Sequence, residues 1–462
     1  MELSTTLMVL VGIGYWIHGF RCFPWLAVTF YLKDNLRVES VTLQLLQSSA
    51  NLPMVAKPIY GIISDAVYIG GAHRLPYIII GGLLQAISWG SIVFIPAAGS
   101  SVPIMSAFLL LSNLGASIVE VANDALVAET GKNAKASSSG ELQSFAWMAT
   151  AAGGIMGNLL GGIAIGRVDA KAMFIFFGLL LGIQVIICLT VDEKSLGSIN
   201  AKKVVGQKSI HANQHDRGGV DTRAIKSNSI GGAFSKSVQK QVLDLLEALR
   251  KPEIKYSIVW FAASYAMIPI LTGTMFFYQT QHLKLDPTIL GLAKVVGQIG
   301  LLLGSVIYNR FLKSISLRML LGCVQILLSL CMLSDIILVK QLNTQLGIPN
   351  SVYILGASAL VEVISQFKIL PFTVMLAQYC PPGCEGSLMA FIMSVQALTT
   401  IVSGYFGVVL ASFLNVSSEN FSRLPLAIFI QSIATLVPLF WISLIPGQES
   451  AKKRQEDKRK VF

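Results

Sequence analysis

The stretch AMFIFFGLLLGIQVIICLT, residues 172–190, contains no charged side chain and a single amide, Gln184. An α-helix needs about 20 mostly apolar residues to cross the hydrocarbon core of a bilayer, and this stretch has that length. A transmembrane barrel would instead alternate apolar and polar residues in segments of about 10. The stretch therefore predicts a membrane-spanning helix.

Apolar stretches of the same kind recur from one end of the chain to the other. They predict an all-α membrane protein with twelve transmembrane helices. The predicted spans are 6–31, 42–63, 75–96, 104–128, 142–166, 171–191, 254–279, 288–309, 317–339, 351–378, 388–414 and 425–445. Most of the connections between them are too short to hold a sizeable soluble domain.

The overall composition leads to the same class of protein. Of the 462 residues, 53% are hydrophobic and only 13% are charged, whereas ordinary soluble domains carry roughly 25% charged residues. Too few charges remain to coat the surface of soluble domains. The composition therefore excludes a soluble globular enzyme, a disordered chain and a disulfide-rich secreted module.

One long polar stretch divides the predicted spans into two sets of six. Residues 192–251 are rich in Lys, Arg, Gly, Ser and Asn, which predicts a basic linker. The linker separates an N-terminal six-helix bundle, 1–191, from a C-terminal six-helix bundle, 252–446. Residues 447–462 form a basic tail, and the amphipathic residues 242–249 are expected to lie on the membrane surface.

The distribution of positive charge predicts the orientation of the chain in the membrane. Lys and Arg are in excess in the loops on the side of both termini, with or without the linker. The positive-inside rule therefore predicts that both termini, the linker and the tail are cytoplasmic. This topology explains most of the net charge of +11, and no groove-reading module points to nucleic acid. Neither a signal peptide nor a transit peptide is predicted, so the particular membrane stays open.

Motifs for several other chemistries are missing from the sequence. There is no Gly-x-x-x-x-Gly-Lys-Ser/Thr phosphate loop, so direct ATP-driven pumping is not expected. We find no nucleophile–base or metal-ligand constellation, and we therefore expect no enzymatic activity, no cofactor and no metal. The chain is expected to act as a monomer in the lipid bilayer.

Five ionisable residues fall inside predicted spans, where a charge costs at least about 2–3 kcal/mol. They are Arg21, Glu120, Asp124, Glu362 and Lys368. Intramembrane charges are candidates for function, and we predict that these residues bind a substrate or a coupling ion. Lys57 and Lys294 lie nearer to span ends, where a lysine can extend its ammonium group to the interface.

The fourth predicted span carries a polar stripe. Its members, which are 4, 3 and 4 residues apart and so share one helical face, are Asn113, Ser117, Glu120 and Asp124. The two carboxylates could accept hydrogen bonds from a substrate or carry a coupling proton. The alternative is a buried ion pair with Arg21 that only fixes packing. In the first span His18, Arg21 and Trp25 share a face, which suits either a flat anionic ligand or a packed aromatic stripe.

Two segments of the chain resemble each other. Residues 115–121, GASIVEV, match residues 356–363, GASALVEV, with one residue inserted. Six spans separate the two segments, which is the relation that two six-helix repeats would give. Pro371, shortly after Lys368, is expected to loosen the tenth span near the membrane centre.

The segment KPIYGIISD, residues 57–65, followed by RLPY, residues 74–77, resembles the loop between spans two and three of the major facilitator superfamily. In that superfamily the Gly-x-x-x-Asp motif and nearby basic residues form a cytoplasmic latch between helices. Here the loop carries an insert, residues 66–72, and His73 stands where a second basic residue is common.

Three further blocks are similar to plant folate–biopterin transporters: RCFPWLAVTFYLKD at 21–34, NDALVAE at 123–129 and the block at 371–387 that includes LAQYCPPGCEGS. The resemblance implies a secondary transporter of the major facilitator fold that moves folates or pterins by symport with protons. The positions that match the motifs of that family are Asp65, Arg74, Asp124 and Glu385. Arg21 matches the plant-type block.

The resemblance and the buried charges together predict roles for the candidate residues. Arg21 and Lys368 would hold a substrate carboxylate, while Glu120 and Asp124 would pair with pterin NH groups or bind the proton. Latches would be formed by Asp65, Arg74 and Glu385. The alternatives are a transporter of another small anionic metabolite, a non-transporting receptor or scaffold, and a membrane-embedded enzyme.

Overall fold

Where the structure describes it, the chain folds into helices, most of which are joined by short connections. The computed structural model describes residues 5–133, 136–191, 193, 239, 242–243, 245–312, 315–358, 360–361, 363–365, 367–369, 372 and 385–445. Candidate residue Glu362 and most of the 371–387 block lie outside the described residues, as do most of the linker and the tail.

Ten helices precede the linker in the described part of the chain. They are α1 (Thr5–Phe20), α2 (Cys22–Phe30), α3 (Ser40–Ala50), α4 (Leu52–Val55), α5 (Lys57–Ala66), α6 (Leu75–Phe94), α7 (Pro96–Ser100), α8 (Val102–Asn133), α9 (Ala136–Ala164) and α10 (Ala170–Thr190). A π-helical turn, Tyr31–Asn35, continues α2.

Further helices follow the linker in the described part of the chain. They are α11 (Pro252–Ala266), α12 (Thr272–Phe277), α13 (Pro287–Ile307), α14 (Leu317–Val339), α15 (Leu342–Gln345), α16 (Asn350–Tyr353), α17 (Glu385–Phe413) and α18 (Leu424–Leu436). Residues 245–250, 363–365 and 367–369 are also helical.

The predicted count of twelve spans is not confirmed, because eight helices of the described residues are long and apolar enough to cross a membrane. Predicted span 42–63 is divided into α3, α4 and α5, where Pro53 and Pro58 each remove a backbone donor. Predicted span 254–279 is interrupted between α11 and α12, where Pro269 lies. The glycines of α9 lower its hydropathy, and span 351–378 is described only in part.

Each half of the chain contains a cluster of buried apolar side chains of its own. One joins α1, α6, α8 and α9 through residues such as Leu7, Ile78 and Leu126. The other joins α11 and α17 to Ile445. Leu245 and Leu249 pack against this second cluster, and Ala248 is fully buried. One face of the amphipathic segment therefore packs on the protein, whereas Leu243 and Leu246 are exposed, and its position on the membrane surface stays a prediction.

Helix α10 shows how the bundle meets lipid. Phe174, Phe177 and Leu181 are fully buried, whereas Leu179 and Ile186 are more than half exposed. Because residues three or four positions apart share a helical face, the exposed apolar side chains form a surface of their own. In a membrane protein this surface faces the acyl chains.

Helices α1 and α9 approach each other more closely than side chains would permit. A Cβ atom on Gly153 would overlap the carbonyl oxygen of Trp16, and one on Gly19 would overlap the carbonyl oxygen of Thr150. Small residues at helix contacts permit this approach of two backbones within a membrane.

We expect the substitution Gly153→Ala to destabilise the protein, because the added methyl group forces α1 and α9 apart. The cost of such overpacking is about 1–3 kcal/mol, and it is measured as a lower thermal unfolding midpoint in detergent. The matched control is Gly182→Ala in α10, where an added Cβ meets no atom within 4 Å. Equal midpoints for the two variants would contradict the close contact.

Candidate functional site

The polar stripe of α8 meets two side chains from other helices. Lys57 Nζ donates to Glu120 Oε1 at 2.6 Å, and Tyr15 Oη donates to Asp124 Oδ1 at 2.5 Å. The side chains of Lys57 and Glu120 are 12% and 20% exposed, and Asp124 is exposed. We call these four residues and Arg21 the polar cluster.

The structure changes two interpretations of the sequence. Lys57 does not extend to the interface, because the break at Ala56 starts α5 beside α8 and directs the ammonium group to Glu120. Arg21 instead donates to Asn113 Oδ1, and Asn113 Nδ2 donates to the carbonyl oxygen of Ala50 at 2.6 Å. The alternative of an ion pair between Arg21 and an acid of α8 is not found here, since Glu120 is paired with Lys57 and Asp124 accepts from Tyr15.

A cleft of about 400 Å³ lies between the N-terminal and C-terminal helices, next to the polar cluster. Its lining residues are Gln44, Gln47, Ser48, Asn51, Met54, Lys57, Ile270, Thr272, Met393, Gln396, Ala397, Thr400, Ile401 and Gly404. This volume lies within the usual range for small-molecule sites. Amide and hydroxyl side chains, which both donate and accept hydrogen bonds, dominate its polar surface.

One end of the cleft is closed by the side chain of Gln44. Its Nε2 donates to the carbonyl oxygens of Ile270 at 2.6 Å and Gly404 at 2.8 Å, and its Oε1 accepts from the backbone N–H of Gly273 at 2.9 Å. Gln44 is almost fully buried. Through these bonds one side chain of α3 connects to the backbone of both α12 and α17, and so joins the N-terminal helices to the C-terminal helices. We call this region the closed end.

At the break between α11 and α12, backbone carbonyl oxygens accept hydrogen bonds from side chains of several helices. Besides Gln44, Ser403 Oγ of α17 donates to the carbonyl oxygen of Ile268. Lys368 Nζ donates to the carbonyl oxygen of Ser264 at 2.6 Å, in the last turn of α11. A cation at a helix C-terminus also interacts favourably with the helix dipole.

Lys368 thus lies in a different setting from the polar cluster. The side chain is 1% exposed, and its ammonium group lies 4.1 Å from the ring centre of Tyr265 and 5.8 Å from that of Trp260. In this conformation the ammonium group binds the broken helix, and its role as a substrate ligand stays a prediction.

Asp335 in α14 is a partly buried acid inside predicted span 317–339 that is not among the five candidates predicted from the sequence. Within the described residues its Oδ1 atom has no hydrogen-bond partner. The signal that could have found it is the one used for Glu120, namely an ionisable residue inside a predicted span.

The predicted latch residues Asp65 and Arg74 do lie together. Arg74 NH2 is paired with Asp65 Oδ1 and, at 2.5 Å, with Glu129 Oε1, while NH1 donates to Ser64 Oγ at 2.7 Å. Burial alone would lower the pKa of the Arg74 guanidinium, but the hydrogen bonds and charges of Glu129 and Asp65 raise it. We call Asp65, Arg74 and Glu129 the latch. Glu385 begins α17, and its side chain is not described.

His73 lies at the edge of the latch. Its Nδ1 is 3.6 Å from Glu129 Oε1, and its ring stacks on Tyr68. Asp65, His73 and Glu129 are close enough together to ligate a metal ion. Because Arg74 binds both carboxylates, it supplies the positive charge that a metal would bring.

Glu193 is a functional candidate that the sequence could not reveal, because it follows the last apolar residue and reads as part of the linker. Its carboxylate accepts the backbone N–H groups of His73, Arg74 and Leu75 at 2.8–3.0 Å. A carboxylate at this position satisfies donors that the start of a helix leaves free, and it favours the helix dipole. Glu193 therefore fixes the start of α6 beside the latch.

We expect Arg74→Gln to lower the stability of the protein, since Asp65 and Glu129 would keep their charges without a partner. Both carboxylates are partly exposed, so we expect a loss of about 1–3 kcal/mol, below the range for a fully buried pair. Thermal unfolding in detergent measures it. Arg167→Gln, which changes an exposed arginine, is the control, and equal midpoints would contradict the latch.

The sequence of this chain is similar to those of known proteins along almost its whole length. The chain is 48% identical over 448 residues to "Probable folate-biopterin transporter 7" of Arabidopsis thaliana, which covers 97% of this chain and 95% of the relative. It is 26% identical over 455 residues to "Folate-biopterin transporter" of Synechocystis sp., covering 98% and 84%. Both relatives are named as transporters, and the resemblance found in the sequence is confirmed.

The fold also matches solved structures. The D-xylose-proton symporter superposes with a TM-score of 0.65 at 16% identity, over 96% of this chain and 98% of that protein. The likeness shows that the chain has the major facilitator fold. The BT1 family is matched over residues 18–461. With a match of this length and a relative at 48% identity, the chain belongs to the BT1 family.

Proposed function

We propose that the protein is a secondary active transporter that carries folates or pterins across a membrane together with protons. The observation that carries this proposal is the similarity to proteins named folate–biopterin transporters along almost the whole chain. The cleft between the N-terminal and C-terminal helices, with the polar cluster beside it, supplies a site for such a substrate.

The polar cluster supports specific roles in this transport. The Asp124 carboxylate is exposed and held by Tyr15, so it can exchange a proton or accept from a pterin NH group. Glu120 can do the same when Lys57 leaves it, and Arg21 offers a cation for a substrate carboxylate. The equivalent groups of the C-terminal half would be Glu362 and Lys368.

We propose that the two halves, 1–191 and 252–446, rock about the cleft with both termini and the latch in the cytoplasm. In that orientation the closed end faces away from the cytoplasm. The hydrogen bonds of Gln44 join the two halves there, whereas those of the latch lie within the N-terminal half. To open the closed end, the protein would have to break the bonds of Gln44.

Uptake into proteoliposomes tests the proposed function. We expect labelled folic acid and labelled biopterin to accumulate faster with an inward proton gradient than without one. In Asp124→Asn, which cannot bind the proton at residue 124, we expect uptake to fall to the rate seen without a gradient.

Tyr15→Phe is the matched control, because it removes the hydrogen bond but keeps the carboxyl group, and gradient stimulation should persist. Unchanged uptake and unchanged pH dependence in Asp124→Asn would exclude the coupling role. A well-folded wild-type protein that moves neither compound would refute the proposed substrates. It would favour another anionic metabolite or a receptor.

The closed end generates a second prediction. Gln44→Leu should shift the protein towards a state that is open at this end, since three hydrogen bonds between the halves are lost. Spin labels at the exposed positions Glu39 and Lys284, with the native cysteines replaced, report the separation by electron paramagnetic resonance. We expect a population at longer distance.

Gln47→Leu provides the comparison on the same helix, because Gln47 donates to Thr29 Oγ1 within the N-terminal half at 2.8 Å. It should leave the distance distribution as in the wild type. Identical distributions in Gln44→Leu and the wild type would show that Gln44 does not hold the closed end.

A further inference from the structure

The lining of the cleft combines apolar side chains with amides and hydroxyls, and it is almost uncharged. Of the residues that line it in the described chain, Lys57 is the one that carries a charge at neutral pH. Amide side chains such as Gln47, Asn51 and Gln396 match the donors and acceptors on the edge of a pterin ring. They offer no counter-charge to a carboxylate. The amides can therefore recognise a ring through hydrogen bonds, and Lys57 can recognise a carboxylate through its charge.

Lys57 lines the cleft, and its ammonium group is paired with Glu120. It is the first residue of α5, where the helix dipole disfavours a cation. The side chain is 12% exposed, so part of its hydration is also lost. The ion pair with Glu120 offsets both effects. A substrate carboxylate in the cleft could take the place of Glu120 as the partner of Lys57.

We propose that Lys57, the charged residue of the cleft lining, binds a carboxylate of folates in this conformation, in which Arg21 is bound to Asn113, and that Lys57 sets the preference for folates over simple pterins. Folates carry a glutamate tail with carboxylates, whereas biopterin has none. The amides of the cleft would bind the ring that both compounds share. This inference rests on the proposed function, because it assumes that both compounds enter the cleft.

The test removes charge from the protein and from the ligand in turn. Uptake of labelled biopterin into proteoliposomes is measured with folic acid or its dimethyl ester as the competitor. The wild type should be inhibited by folic acid at about 10-fold lower concentration than by the ester, the effect of one charged hydrogen bond. In Lys57→Gln the two competitors should become equal to within about 2-fold.

Two variants separate recognition from structure. Lys57→Arg keeps the charge and should keep the preference for the acid. In Lys57→Gln the new side chain can still donate to Glu120 and so preserve the local contact. If Lys57→Gln lowers the uptake rate but leaves the preference at its wild-type value, Lys57 has only a structural role and the proposal is overturned. The same holds if the wild type shows no preference.

Failure of the proposed function gives a different result. A wild-type protein that takes up no biopterin and no folic acid refutes the transport proposal before any variant is compared. If biopterin is taken up normally but neither folic acid nor its ester competes, the transport proposal stands and the role of Lys57 is refuted.

Discussion

Carbonyl oxygens released by a broken helix cannot be left without hydrogen bonds in the hydrocarbon core of a membrane. The break between α11 and α12 exposes such oxygens at Ser264, Ile268 and Ile270, and each is bound by a side chain from a different helix. Lys368 and Ser403 belong to the same half as the break, and Gln44 belongs to the other half. The packing of α3, α12 and α17 at the closed end follows from this requirement.

The two ends of the bundle are built on different chemistry. At the closed end, neutral amide–carbonyl bonds join the two halves, and glycines let the backbones approach, as where a Cβ on Gly407 would overlap the carbonyl oxygen of Ile270. The latch consists of charges within one half, with Arg74 between two carboxylates. Neutral bonds that water can replace suit a contact that opens and closes. A charged network within one half suits a part that moves as a unit.

The sequence predicted what depends on local pattern. Apolar runs indicated helices, the spacing of Glu120 and Asp124 placed them on one face, and the motif around Asp65 predicted its contact with Arg74. Partners that come from distant segments could not be predicted in the same way. Lys57 lies near a span end, which predicts a side chain that extends to the interface. Its pairing with Glu120 depends on how α5 starts at Ala56 and packs against α8, and the sequence does not show this. Gln44 looked like an ordinary polar residue, since its importance comes from a helix break more than 200 residues away.

The carboxylate of Glu193 has a consequence for dividing or extending the chain. Because it binds three successive backbone N–H groups at the start of α6, the N-terminal bundle is complete only when residue 193 is included. If the protein were produced as two separate polypeptides, a first fragment ending at residue 191 would leave those donors unsatisfied beside the latch. A fragment that extends past residue 193 would retain them, so reporters or affinity tags belong after that point.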